Sequence, residues 1–240
     1  MAGADRGAAG RAGRGDDGVI LSGTGLRKAY GATDALLDAD FAIDAGEIVA
    51  VMGPSGSGKS TLLHVIAGIV PPDAGTVVYD GRELSAMNDV QRSALRRSEF
   101  GFVFQFGQLV PELSCRENVA LPLRLDGVSR RVAEARADEL LEVLEVAGVA
   151  AQRPGTVSGG EGQRVAVARA LVTDPRVLFA DEPTGALDSL NGERVMELLT
   201  RAARDRGTAI VLVTHEARVA AYSDREVIVR DGRTLSPVSS

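Results

Sequence analysis

The 240-residue chain reads as an α/β protein with a mixed central sheet and an antiparallel β unit at its N-terminal end. Alternation points to the antiparallel unit. Val19–Tyr30 and Ala35–Ile43 carry apolar residues at roughly every second position, as a half-buried hairpin does. Unbroken apolarity points to the rest. Val177–Ala180 and Ala209–Thr214 are short apolar runs separated by a helical stretch, the pattern of parallel strands covered on both faces.

Met1 to Gly18 hold almost only Ala, Gly, Arg and Asp, which cannot build a core, so a disordered tail is expected over 1–18 and order from 19 to 240. The tail has no apolar h-region and does not read as a signal peptide. After the hairpin, Glu47–Met52 is an apolar strand that runs into a Gly-rich turn. Lys59–Gly68 reads as a helix stopped by Gly68 and Pro71-Pro72. Val77–Tyr79 and Phe100–Phe104 are strand candidates. Arg130–Ala147 is an amphipathic helix for which Gly148 is the expected cap. Helices are also expected over Ser158–Val172 and Gly192–Arg206, and a hairpin over Glu226–Arg233.

Composition bounds the function. The chain is 45% hydrophobic and 25% charged, the balance of a globular protein. Its 33 acidic and 27 basic residues leave a net charge of −6, which argues against general nucleic-acid binding. A single cysteine, Cys115, precludes an internal disulfide and fits a reducing compartment. No apolar run reaches the roughly 18 residues that span a bilayer. Work at a membrane would need a partner to hold the chain there.

The sharpest motif is Gly53-Pro54-Ser55-Gly56-Ser57-Gly58-Lys59-Ser60-Thr61, which fits G-x-x-x-x-G-K-[ST] between a strand and a helix. Triphosphate oxygens need several donors that converge. Glycines let backbone N–H groups turn inward, and the helix N-terminus adds partial positive charge. Lys59 can reach the β and γ phosphates of ATP, and the Ser60 hydroxyl can bind Mg²⁺.

Val177 to Ala180 ends in Asp181-Glu182. Ligands bind at the carboxyl ends of parallel strands, so this pair is expected beside the phosphate loop. Asp181 would serve the Mg²⁺ side and Glu182 would act as general base on the attacking water. The alternative is an ordinary solvated acidic pair. His215 follows the strand Ile210 to Val213 and could donate to a γ-phosphate or polarise water; a structural role stays open. His64, inside the helix after the loop, reads as a packed helix residue.

Val157-Ser158-Gly159-Gly160-Glu161-Gly162-Gln163-Arg164 resembles the ABC-transporter signature, usually written LSGGQ. Ser158-Gly159-Gly160 opens a helix and so forms a second N-terminal anion site. Its position between the phosphate loop and Ala180-Asp181-Glu182-Pro183 makes the resemblance specific, and the resemblance covers about Val19 to Leu235. It implies a P-loop NTPase with an antiparallel β subdomain and a helical signature subdomain over about 106–173. Tyr30 is then the aromatic that stacks on adenine, with a core tyrosine as the alternative. Gln105 is the Q-loop glutamine near Mg²⁺. Ser158, Gly159, Gly160 and Glu161 are the signature contacts to the γ-phosphate, Leu187-Asp188 is the D-loop, and His215 is the switch histidine.

The resemblance also implies that two copies associate head to tail around two ATP molecules and drive a membrane partner. Two departures stand out: Val157 replaces Leu, and Gly162 stands where many relatives have Gln or Arg. Gln105-Phe106, Leu109-Val110-Pro111-Glu112-Leu113-Ser114 and Glu117-Asn118-Val119 look like the subgroup of lipoprotein-release, macrolide-export and cell-division ATPases. Its partners are permeases with four membrane helices and a large extracytoplasmic domain, which places the ATPase on the cytoplasmic face of the cell membrane. Export and mechanical regulation both fit. A soluble ATPase acting on ribosomes or DNA is the competing class; such relatives fuse two domains or insert long coiled coils, and neither feature occurs here.

Overall fold

The computed structural model describes residues 18–235. The tail expected over 1–18 therefore lies outside the described residues except for Gly18. In chain order the elements are β1 (Val19–Tyr30), β2 (Thr33–Asp44), β3 (Ile48–Met52), α1 (Lys59–Ile66), β4 (Ala74–Tyr79), β5 (Arg82–Glu83), α2 (Asp89–Glu99), β6 (Phe100–Phe104), α3 (Cys115–Leu125), α4 (Arg130–Val143), α5 (Gly159–Leu171), β7 (Val177–Asp181), α6 (Ser189–Arg204), β8 (Ala209–Val213), α7 (Ala217–Ala220), β9 (Arg225–Arg230) and β10 (Arg233–Leu235).

The strands form one mixed sheet in the order β5-β4-β1-β2-β10-β9-β3-β8-β7-β6. At one end β2, β1, β4 and β5 pair antiparallel, as the alternating sequence requires. At the other, β9, β3, β8, β7 and β6 run parallel. The β9–β10 hairpin joins the halves, with β10 meeting β2 at Arg233 and Asp38.

The unbroken apolar runs are explained by two cores. Successive side chains on a strand point to opposite faces. On β7, Val177 and Phe179 enter one core while Leu178 and Ala180 enter the other. On β8, Ala209, Val211 and Val213 face the first core, and Ile210 and Leu212 the second. The first core lies under α1 and the antiparallel strands. The second lies under α3, α4, α5 and α6. No second face remains for water, so no polar residue interrupts these strands.

Three details differ from the sequence expectation. The long amphipathic helix does not reach Ala147 or end at Gly148. It stops at Leu144, where Glu145 turns left-handed (φ 58°) and Val146 N–H returns to the Leu141 carbonyl at 2.8 Å. This is the two-bond helix stop that usually recruits glycine. Here a glutamate takes it, and Arg194 of α6 grips that glutamate with Nε and Nη2. Gly148 sits instead in the following 3₁₀ turn, Ala147–Val149.

Two helices lacked a strong pattern. α2 buries only Leu95 and is set by a capping box between Asn88 and Gln91. α3 carries Pro122 within it and starts from a second capping box, Ser114 with Glu117. The sixth helix begins at Ser189 rather than Gly192, because Asp188 caps it. Among the described residues, no helix is long and apolar enough to cross a membrane.

Candidate functional site

The phosphate loop joins β3 to α1 and lines a cleft of about 650 Å³. Pro54, Ser55, Gly56, Gly58, Lys59, Ser60 and Thr61 face this cleft. Gly58 has φ 107°, and a Cβ there would stand 2.4 Å from the Ala35 carbonyl oxygen. Only glycine fits that position. Lys59 is 7% exposed and its Nζ donates to the Gly53 and Pro54 carbonyls, both at 2.9 Å. The buried ammonium is thus held across its own loop, satisfied and aimed at the cleft. Ser57 is buried among the loop residues and does not line the cleft.

Parallel pairing positions the acidic pair. Asp181 at the end of β7 lies opposite Val213 of β8, and Glu182 N–H donates to the Val213 carbonyl at 2.9 Å. Asp181 turns to the loop, where the Ser60 hydroxyl donates to its Oδ1 at 3.3 Å. Burial raises the Asp181 carboxyl above its ordinary value, and the Ser60 hydroxyl opposes this. Glu182 takes a left-handed backbone (φ 49°), rare for a side chain of its size, and its carboxylate lines the cleft. His215 Nδ1 lies 2.8 Å from Glu182 Oε1. An ionised carboxylate only accepts, so Nδ1 carries the proton and Nε2 is left for another partner. His64 is half-buried in α1 and does not line the cleft.

The signature stands apart from this cleft. Ser158 caps α5: its hydroxyl donates to Glu161 Oε2 at 2.6 Å and accepts from Glu161 N–H at 3.3 Å, while Glu161 Oε2 also accepts from Ser158 N–H at 2.9 Å. These bonds lower the Glu161 carboxyl below its ordinary value, the Ser158 hydroxyl having the largest effect. The carboxylate of Glu161 is therefore turned back on the cap. The N–H groups of Gly159 and Gly160, in the unpaired first turn of a helix, are the open donors. Asp188 caps α6, accepting from Asn191 N–H at 2.9 Å and from Asn191 Nδ2 at 2.7 Å. Gly162 is helical, with its N–H on the Ser158 carbonyl at 2.9 Å.

One chain thus gathers the loop, Glu182 and His215 around the cleft, with Asp181 behind Ser60. Ser158, Gly159, Gly160 and Asp188 are not among the residues that line it. Tyr30 ends β1 opposite Thr33, which does line it, and is 49% exposed. A core role for this tyrosine is thereby excluded. Gln105 follows β6 and packs its amide against Gly185. Thr33, Asp34 and Ala35 also line the cleft. They belong to no motif, and only the folding of the β1–β2 turn onto the loop brings them there.

Residues 36–185 match the family described as ABC transporter. The chain belongs to the ABC transporter family. Among its ABC relatives is the "Lipoprotein-releasing system ATP-binding protein LolD 2" of Caulobacter vibrioides, 45% identical over 89% of this chain and 95% of that protein. The LolD protein of Bordetella pertussis is 45% identical over 91% of this chain and 96% of its own. In three dimensions the chain resembles the ABC cassette MJ0796 in a dimeric, post-hydrolysis state bound to ADP and Pi, with a TM-score of 0.83 and 37% identity over 90% of this chain and 97% of that one. This ABC chain is the ATP-binding and ATP-hydrolysing subunit of a membrane transport complex whose permease is a separate chain.

Proposed function

We propose that two copies of this chain meet head to tail, that each ATP is enclosed by the phosphate loop of one and Ser158-Gly159-Gly160 of the other, and that its hydrolysis drives a membrane permease in lipoprotein release. The observation that carries this reading is the separation of two anion sites within one chain. The cleft holds Lys59, Glu182 and His215, while the open donors at Gly159 and Gly160 stand outside it. Each site is half of one, and a second copy supplies what the cleft lacks.

The named residues divide the work. Gly53 to Thr61 cradle the phosphates, with Lys59 on the β and γ groups. Tyr30, exposed at the lip, stacks on adenine. Glu182 accepts the proton of the attacking water as the water oxygen bonds to the γ-phosphorus and the bond to ADP breaks. His215, held by Glu182 through Nδ1, presents Nε2 to the γ-phosphate. Gly159 and Gly160 of the second copy add donors where charge develops. Glu161 acts by fixing that helix end, and Asp188 by joining the two copies.

The hydroxyl of Ser60 and the carboxylate of Asp181, 3.3 Å apart, suit a hard cation that keeps several waters and completes its shell with phosphate oxygens. Gln105 would complete the set. Bound there, Mg²⁺ would neutralise charge on the β and γ phosphates.

The lipoprotein-release reading rests on relatives of that printed name that align along nearly their full length. Its permease would be of the four-helix type with a large extracytoplasmic domain, and the ATPase would sit peripherally on the cytoplasmic face. The helical subdomain would span about 106–173.

A mixing experiment tests the split site. Lys59→Ala disables the loop of one copy and Gly159→Glu the signature of the other. Each variant alone should be inactive, and a mixture should regain activity through heterodimers that hold one intact site. A mixture that stays inactive overturns the reading. Cargo is tested with the chain reconstituted together with its permease. Lipoprotein release from membranes should need ATP and fail with Glu182→Gln; a complex that moves only small solutes overturns the cargo.

A further inference from the structure

We propose that Asn191 is a positioning residue for the signature, tying the D-loop to the helix end that presents Gly159 and Gly160. The inference rests on the reading of that helix end as a γ-phosphate site.

Three contacts carry it. Asn191 Nδ2 donates to Asp188 Oδ2 at 2.7 Å, and Asn191 N–H donates to Asp188 Oδ1 at 2.9 Å, so one residue occupies both carboxylate oxygens. The other end of the same amide faces the signature: a Cβ at Gly160 would stand 2.7 Å from Asn191 Oδ1. A side chain at Gly160 would have to displace the Asn191 amide. The absence of a Cβ leaves room for the α6 amide beside the α5 helix end. Beside it, Leu187 Cδ2 comes within 3.5 Å of where a Cβ at Gly159 would be. The next residue, Gly192, packs on Thr184, two residues beyond Glu182. A single turn of α6 thus touches the signature, the D-loop and the segment that follows the catalytic glutamate.

The chemistry of the bridge is directional. Asp188 is held ionised by the two donors, with the Asn191 N–H the larger influence. A side chain of the same shape without a donor would set two carboxylates against each other and push this turn of α6 off the signature. The phosphate loop is not touched, so ATP affinity in the cleft should survive. Donors misaimed at the γ-phosphate should instead slow turnover.

The test is Asn191→Asp in the full chain, with steady-state ATP hydrolysis and nucleotide binding measured together. We expect kcat to fall roughly ten- to a hundredfold while KM for ATP stays within about twofold. Adding Asp188→Asn returns a donor to the pair with its direction reversed, and kcat should rise again in the double variant. A merely structural asparagine would lower stability without this reciprocal rescue. Should Asn191→Asp not fold, judged by loss of ADP binding, Asn191→Ala carries the same comparison of kcat with KM. If Asn191→Asp turns over normally while Gly159→Glu is inactive, the role given to Asn191 is wrong and the signature reading stands. If both turn over normally, the signature reading falls as well. A drop in kcat that the double variant does not restore, while ATP-induced dimerisation of that variant is intact, also overturns the bridge.

Discussion

Glu182 and His215 come from neighbouring parallel strands and meet at 2.8 Å, with the His215 Nδ1–H on the Glu182 carboxylate. The contact orients the carboxylate in the cleft. Glu182→Gln should therefore keep ATP affinity, lose turnover by at least about a hundredfold and accumulate as an ATP-bound dimer. His215→Ala should lose less, because the base remains. Single-turnover hydrolysis and size-exclusion chromatography with ATP check both; turnover at the parental rate in Glu182→Gln would remove that residue from the role.

Lys59 bonds two carbonyls of its own loop and is almost fully buried. Its charge is in place before nucleotide arrives, so little reordering is needed on binding. Lys59→Ala should weaken ATP binding at least about tenfold, since charge-assisted contacts to phosphate are the strong ones. Calorimetric titration measures this, and unchanged affinity contradicts the assignment.

Phe179 is 1% exposed and sits between Phe100, edge-on at 5.1 Å, and Phe102, stacked at 5.4 Å. Phe179→Ala leaves a cavity in the core under α1 and should cost about 3–5 kcal/mol. Urea unfolding should show the loss as a lower midpoint with little change in slope.

Three helix caps tie stability to pH. Hydrogen bonds lower the carboxyls of Glu161, Glu117 and Asp188 in the folded chain. A group lowered on folding contributes fully above its unfolded value and loses that contribution as pH falls through the folded one. Stability should therefore decline as pH drops below about 4, where unfolded carboxylates protonate first. Ser158→Ala removes the hydroxyl that lowers Glu161, so it should be less stable at neutral pH, by about 1 kcal/mol for a lost cap, and should decline less steeply in acid. Thermal melts from pH 7 to 3 decide it.

Removing residues 1–18 should leave ATP hydrolysis intact, because among the described residues the cleft is lined only by Thr33 and residues after it. A large loss on truncation assigns the segment a role.

Much of this was legible in the sequence, for separable reasons. The cleft residues follow strands and open helices, so their motifs carry their own structural context. The hairpin and the buried parallel strands obey periods of burial that residue type reports. What escaped was set by tertiary contact. Thr33 to Ala35 reach the cleft through the closing of a turn. α2 buries one leucine and offers no stripe to read. The end of α4 was misplaced because Glu145 holds a left-handed position that sequence assigns to glycine, sustained by Arg194 some fifty residues later. Asn191 has a visible capping relation to Asp188, yet its second partner, Gly160, appears only in space.

The division of β7 and β8 between two cores has a consequence for how this enzyme can change. Leu178 and Ala180 are fixed by one body of packing, Val177 and Phe179 by the other, and these four residues carry Asp181 at their end. Drift in either core is transmitted to the cleft as a displaced acid. Volume changes at positions such as Leu178 or Ile210, remote from the cleft, would therefore reach the acid through packing.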